Sequence, residues 1–308
     1  MSILNQPYFQ NEEAAYAKLE SLVWPNGPVC PKCGVIGGAY RLAKRPGLYR
    51  CKAKECGKDF TATVGTVYES SHVKLHLWLQ ASYLMCSSKK GISAHQLHRT
   101  LGVTYKTAWF MAHRIREAMR EANPTKMGGP DKIAEADETY IGGREKNKHR
   151  SKRTSAVGGS GKEPVFSLVE RKGRVRSHHV TEVTGKTLGP ILRAQLNRGS
   201  ALMTDEAGQY LHVGKEFARH ETVRHGIEEY VRGEVHTNTI EGYFSLLKRG
   251  INGTYHHVSQ QHLKRYLGEF DFRYNERIAM GVDDQMRADK AIKGIVGKRL
   301  MYRDSSVV

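Results

Sequence analysis

A chain of 308 residues has room for two or three domains, and 39% hydrophobic residues supply enough apolar material for real cores. Its 49 Lys and Arg against 31 Asp and Glu leave a formal net charge of +18, which favours a polyanionic partner, nucleic acid before others. The sequence opens without a basic-plus-apolar signal segment and has no uninterrupted apolar run of about 18 residues, so a membrane-spanning chain is not expected and a cytoplasmic one is.

In the N-terminal third, CPKC places Cys30 and Cys33 two residues apart, and CKAKEC places Cys51 and Cys56 four apart. Each pair can close one side of a tetrahedral zinc. The 17 residues between the pairs suit a small hairpin, and four thiolates leave no open position, so the zinc is structural. Pro31, Gly34, Gly47 and Gly57 supply turns, and the alternation in LYRCK and KDFTA reads as strand. Residues 1–65 are therefore expected to be a basic zinc ribbon, a module that contacts DNA or docks protein. The fifth cysteine, Cys86, lies in an apolar helical stretch and reads as a buried small side chain.

Residues 66–122 turn helical. HVKLHLWLQASYLMCS is one candidate helix. Ser93 can cap a second, short one, Leu101 and Gly102 make a turn, and Thr104 can cap a third. In the third, Ala108, Met111, Ile115 and Met119 repeat at helical spacing as a buried face, leaving Lys106, His113, Arg114 and Arg116 largely outside. That is a helix-turn-helix pattern with Lys106, Arg114 and Arg116 directed at DNA; an ordinary helical hairpin with a solvated charged face is the alternative. EANPTKMGGPDK, with two prolines and two glycines, marks the domain boundary.

Beyond it, 130–290 reads as a third domain and 291–308 as a basic tail. KIAEADETYIGG is expected as a strand carrying Asp137 between Glu135 and Glu138. REKNKHRSKRTSAVGGSGKEP reads as a basic loop able to lie on a phosphate backbone, and PVFSLVERKGRVRSHHV as a hairpin turning at Lys172 and Gly173. A helix in TLGPILRAQLNRG and a strand in SALMTDEAGQY follow, the strand delivering Asp205 at its end. A carboxylate at a strand end needs a partner, and a divalent cation is one that makes the placement useful.

HTNTIEGYFSLLKRG reads as a helix starting near Asn238 or Thr239, with Ile240, Phe244 and Leu247 buried and Asn238, Glu241, Ser245 and Lys248 on another face. One reading is a capping box with Asn238 as N-cap and Glu241 at the third position. The other brings Asp137, Asp205 and Glu241 onto two Mg²⁺ (or Mn²⁺) ions for an in-line phosphoryl displacement, with Lys248 and Arg249 meeting the phosphate backbone. His220, His225, His236, His256 and His257 are too dispersed for a zinc motif and read as phosphate contacts or core-edge residues. QHLKRYLGEFDFRYNERI reads as a last amphipathic helix with Lys264, Arg265 and Arg273 available to DNA.

Taken together, CPKC with CKAKEC, EADETYIGG, TDEAGQY and HTNTIEGYFSLLKRGINGTYHHVS resemble the bacterial insertion-sequence transposases that carry an N-terminal zinc ribbon and a DDE catalytic domain, over roughly residues 17 to 278. The resemblance implies an α/β chain: zinc ribbon and helix-turn-helix, then a ribonuclease H-like mixed-sheet catalytic domain. It also implies metal-dependent strand cleavage and strand transfer by a homo-oligomer on double-stranded DNA, at element ends and target, in a cytoplasmic protein associated with the nucleoid when bound. Asp137 and Asp205 correspond to the first two acids of the family triad. The 35 residues between Asp205 and Glu241 match a spacing familiar in such recombinases and favour Glu241 as the third; some relatives use asparagine there, which keeps Asn238 as the alternative. Two rivals stay in view. A DNA-binding regulator on an inactive scaffold would leave the three acids unclustered, and a metal-dependent nuclease would cleave without joining.

Overall fold

The structure is a computed structural model that describes residues 3–143, 149–153, 161–224, 226 and 231–301. Most of the basic loop (144–148 and 154–160) and His225 lie outside the described residues. The chain divides into two compact units, Met1–Arg120 with Gly281–Val308, and Glu121–Met280.

The first unit opens with α1 (Glu12–Val23), whose N-terminus is capped by the Asn11 side chain, accepting from Glu13 N at 2.8 Å and Ala14 N at 3.1 Å. Three short strands, β1 (Ala39–Arg41), β2 (Tyr49–Cys51) and β3 (Asp59–Phe60), form an antiparallel sheet. Trp24 packs edge-on against Tyr49 and Phe60 and closes its small core. Gly47, at φ +66°, makes the turn between β1 and β2, where a Cβ would lie 2.0 Å from the Tyr16 ring.

Helices α2 (Leu75–Ser87), α3 (Ala94–Leu101) and α4 (Tyr105–Met119) follow. Ser93 caps α3 and Thr104 caps α4, each hydroxyl accepting a backbone N–H at 3.2 Å, and Gly102 ends α3 in the left-handed region. The two caps and the turn at Gly102 are thus as expected, but the exposure of α4 is not. Lys106 in its first turn is exposed, whereas His113, Arg114 and Arg116 are 1%, 7% and 2% exposed. Arg114 donates to the Glu69 carbonyl at 3.0 Å and the Leu300 carbonyl at 3.1 Å, and its guanidinium lies over Phe110 and Trp78. Arg114 and Arg116 are therefore interior cations and not a DNA-facing surface. Part of this cover comes from the far end of the chain: Leu300 meets Arg114, and helix α9 (Asp284–Lys293) packs on α2, α1 and α4, so residues 281–301 join this unit.

The second unit is a mixed five-stranded sheet of β4 (Ile133–Ile141), β5 (Glu163–Glu170), β6 (Val175–His179), β7 (Ala201–Asp205) and β8 (Arg219–Val223) in the order β6-β5-β4-β7-β8. In strand rank this is 3-2-1-4-5; the first three strands pair antiparallel, and β4, β7 and β8 run parallel. This is the ribonuclease H-like arrangement. Lys172, at φ +57°, makes the β5–β6 turn. Helix α5 (Gly185–Gln195) and the short α6 (Leu211–Gly214) lie on one face, where Leu188, Leu192 and Tyr210 pack against Ala134, Ala136, Phe166 and Leu202.

After a small ribbon of β9 (Val231–Arg232) and β10 (Val235–His236), α7 (Asn238–Gly250) runs through a π-helical turn, Ile251–Tyr255, toward α8 (Gln260–Asn275). Ile240, Tyr243, Phe244 and Leu247 of α7 and Leu263, Leu267 and Phe270 of α8 cover Val165, Val169 and Val175 on the other face. The expected linker is part of this unit. Met127 is buried, its N–H donates to the Gln195 carbonyl at 2.7 Å, and its carbonyl accepts from Asn197 N at 2.9 Å. In α8, Arg273 is buried and paired with buried Glu269, so it is not available to DNA, while Lys264 is exposed. No helix among the described residues is long and apolar enough to cross a membrane.

Candidate active site

The parallel pairing of β4 with β7 sets Ile133 beside Ala201, Ala134 beside Leu202 and Glu135 beside Met203. The pairing ends there, but continuing its register by two residues points Asp137 toward Asp205. Residues level on adjacent strands share a face, so the strand register directs the two carboxylates to one place.

Glu138 joins them. Carboxylate oxygens of Asp137, Glu138 and Asp205 lie within 4.8 Å of one another. Each is oriented by the chain around it. Asp137 accepts from Glu138 N at 2.7 Å, Asp205 from Ala207 N at 3.1 Å, and Glu138 from Tyr210 Oη at 2.5 Å and Gln209 Nε2 at 3.2 Å. The segment TDEAGQY thus delivers one acid and fixes another. Burial first, then the negative charges of Glu138, Asp205 and Glu241, push the Asp137 carboxyl up to about 7, against the Glu138 N–H that favours its ionised form. Burial, with Asp205 adding to it, also raises Glu138 despite its bonds from Tyr210 and Gln209.

Helix α7 supplies the opposite wall. Its N-cap is Thr237, not Asn238, and the Thr237 hydroxyl donates to Glu241 Oε1 at 2.9 Å instead of capping the backbone. The expected capping box does not form; Asn238 is the first helical residue, and it is exposed. Glu241 lines a cavity of about 680 Å³ together with Asp137, Glu138, Ser245, Lys248 and Arg249. Carboxylates and cations therefore share one opening, as a site for a phosphodiester and its metal ions requires. Carboxylate oxygens crowded within 4.8 Å of one another fit hard divalent cations, which relieve their mutual repulsion.

The role of Glu135 was not legible in the sequence beyond its being an acid near Asp137. It is 0% exposed, pairs with Arg171 and accepts from the first turn of α7. The only signal was strand alternation, which puts it on the same face as Asp137. Nor did the histidines converge. His220 lies 3.0 Å from the Thr204 hydroxyl and His236 3.3 Å from Glu135, while His256 and His257 are exposed.

In the first unit, Sγ–Sγ separations are 3.7 Å for Cys30–Cys56 and 3.5 Å for Cys33–Cys51, and all four sulfurs lie within 4.8 Å of one another. Tetrahedral Zn–S bonds of about 2.3 Å put sulfurs about 3.8 Å apart, so the donor set fits zinc. Burial raises the Cys30 thiol, but the N–H groups of Cys33 and Lys32 together with the thiols of Cys33 and Cys56 outweigh it and bring the group down to about 7, toward the thiolate that binds metal.

Residues 129–275 match the ISXO2-like transposase domain, and residues 10–59 match a transposase zinc-ribbon domain. A protein of Halobacterium salinarum described as an uncharacterized protein in transposable element ISH50 is 33% identical over 282 residues, covering 86% of this chain and 91% of that one. A cryo-EM structure of a simian T-cell lymphotropic virus intasome in complex with PP2A regulatory subunit B56 gamma aligns over 57% of this chain and 63% of that one at 15% identity. Its TM-score of 0.28 is too low to bear on the fold.

Proposed function

The chain belongs to the insertion-sequence transposases that join a zinc ribbon to an ISXO2-like DDE domain, and on that footing we propose that it cuts DNA at the ends of its element and transfers the strands to a target. Asp137, Asp205 and Glu241 are the carboxylates of this reading. The observation that carries it is the convergence of Asp137 and Asp205 from neighbouring parallel strands to within 4.8 Å, with Glu241 on the wall of the cavity that Asp137 also lines. The meeting of Asp137 and Asp205 counts against a regulator on an inactive scaffold.

Asp137, Asp205 and Glu241 would hold two Mg²⁺ or Mn²⁺ ions, which when bound would supply activation of the attacking oxygen and neutralisation of the leaving one. The chain's own groups do the rest. Lys248 and Arg249 meet the phosphate on the rim, and the Thr237 hydroxyl aims Glu241. Tyr210 and Gln209 hold Glu138 as a fourth carboxylate beside Asp137 and Asp205. Asn238, exposed at the helix start, is the weaker candidate for the third ligand because an amide brings no charge. A net charge of +18 and the zinc ribbon support double-stranded DNA as the partner, and the same proposal has a homo-oligomer hold both ends.

Purified protein with the element's end DNA and Mg²⁺ tests the proposal. Asp205→Asn and Glu241→Gln are expected to lower strand transfer by about 100-fold or more with end binding retained, and Asn238→Ala to lower it far less. Full joining by Glu241→Gln overturns that assignment, and cleavage without joined products in the wild type converts the reading to a nuclease.

A further inference from the structure

Strand β4 carries two acids on its α7-facing side. Asp137 opens on the cavity; Glu135, about 6.7 Å earlier along the strand, has no exposure at all. A carboxylate in such a place persists only if its oxygens are fully engaged. Glu135 accepts from Arg171 Nε at 2.6 Å, Thr239 Oγ1 at 2.8 Å and Ile240 N at 2.9 Å, and His236 Nδ1 lies 3.3 Å away.

Two of these donors belong to the first turn of α7, where backbone N–H groups have no partner within the helix. Thr237, the N-cap, leaves that role open because its hydroxyl is turned to Glu241. Helix α7 is thus capped from outside, by a strand more than 100 residues earlier in the chain. Arg171 reinforces the same junction, donating also to the carbonyls of Glu234 at 2.8 Å and His236 at 2.9 Å on the segment that leads into the helix. Along the strand, Glu135 is two residues from Asp137; along the helix, Ile240 is one residue from Glu241.

We infer that Glu135 is a positioning residue: a buried bridge between β4 and the N-terminus of α7 that sets the separation of Asp137 and Glu241, the two walls of the metal site. This rests on the metal-dependent reading above. Glu135 touches neither metal nor DNA; it acts through the two elements it joins, and its ionised form also favours the positive end of the helix. Outer partners of this kind usually govern metal affinity by 10- to 100-fold or so.

The test is Mn²⁺ binding by the zinc-loaded full chain without DNA, followed by the electron paramagnetic resonance of free Mn²⁺. Thr239→Val removes one hydrogen bond to Glu135 and keeps the side-chain shape; Glu135→Gln removes the charge. Each is expected to weaken Mn²⁺ binding about tenfold, and Thr239→Ser to bind as the wild type does. Ser93→Ala removes the side-chain cap of α3, in the other unit, and is expected to leave Mn²⁺ binding unchanged. If Glu135→Gln fails to fold, Thr239→Val decides alone. Binding lost in Asp205→Asn but kept at full strength in Thr239→Val overturns this inference by itself. Binding unaffected by Asp205→Asn overturns the metal-site reading and the inference with it.

Discussion

Replacing Arg171 with methionine isolates the buried pair that ties β4 to α7. The Arg171 side chain is 17% exposed and its partner Glu135 is 0% exposed, with Nε and Oε1 2.6 Å apart. Removing one member of such a pair strands a charge away from water and costs about 3–5 kcal/mol. Glu135 keeps the Thr239 hydroxyl and the Ile240 N–H, which places the loss at the lower end, about 3 kcal/mol. Hydrogen exchange of the full chain under native conditions reads it directly: amides of β4 and α7 should exchange about a hundredfold faster. Adding Glu135→Leu removes the stranded charge while orphaning two donors, at about 1 kcal/mol each. The double variant should therefore be no less protected than Arg171→Met alone. A loss under about 1 kcal/mol for Arg171→Met would refute the reasoning, as would two losses that simply add.

Two further outcomes separate the remaining assignments. Elemental analysis should find one zinc per chain in the wild type and none in Cys51→Ala. The same change should abolish protection in β1–β3, and β4–β8, in the other unit, should keep theirs. Lys106→Ala should lower the salt dependence of DNA binding by about 0.9 in log–log slope. Arg114→Ala should leave that slope unchanged and destabilise the first unit by about 2–4 kcal/mol, since it loses two carbonyl partners and its packing on Phe110 and Trp78. Titration of binding against salt, paired with thermal unfolding, distinguishes the two.

Much of this is legible in the sequence. Cysteine spacing located the zinc ribbon because tetrahedral ligation restricts the chain so strongly. Strand alternation and a turn at Lys172 and Gly173 located β5 and β6. Asp137 and Asp205 were recognised as acids on strands, and only the parallel register explains why they meet. Glu138 escaped because its recruitment depends on Tyr210 and Gln209, more than 70 residues away. Arg114, Arg116 and Arg273 look like surface cations in sequence, since helical periodicity reports one apolar face and says nothing of what covers the other. The cover on Arg114 comes from Glu69, Trp78 and Leu300, too distant in the chain for any local pattern to announce.

That distance has a consequence for how the molecule comes into being. The unit holding the zinc ribbon is assembled from both ends of the chain, and Glu121–Met280 lies wholly between them. During synthesis the sheet-bearing unit is complete on emergence and can fold at once, whereas α2 must wait for α9 to be translated. A message cut short near codon 280 would still yield the carboxylate-bearing sheet, but with the packing around α2 and α4 unfinished. A shortened copy of the gene would then make a product whose damage falls first on the helix-turn-helix, with the acidic cluster left standing.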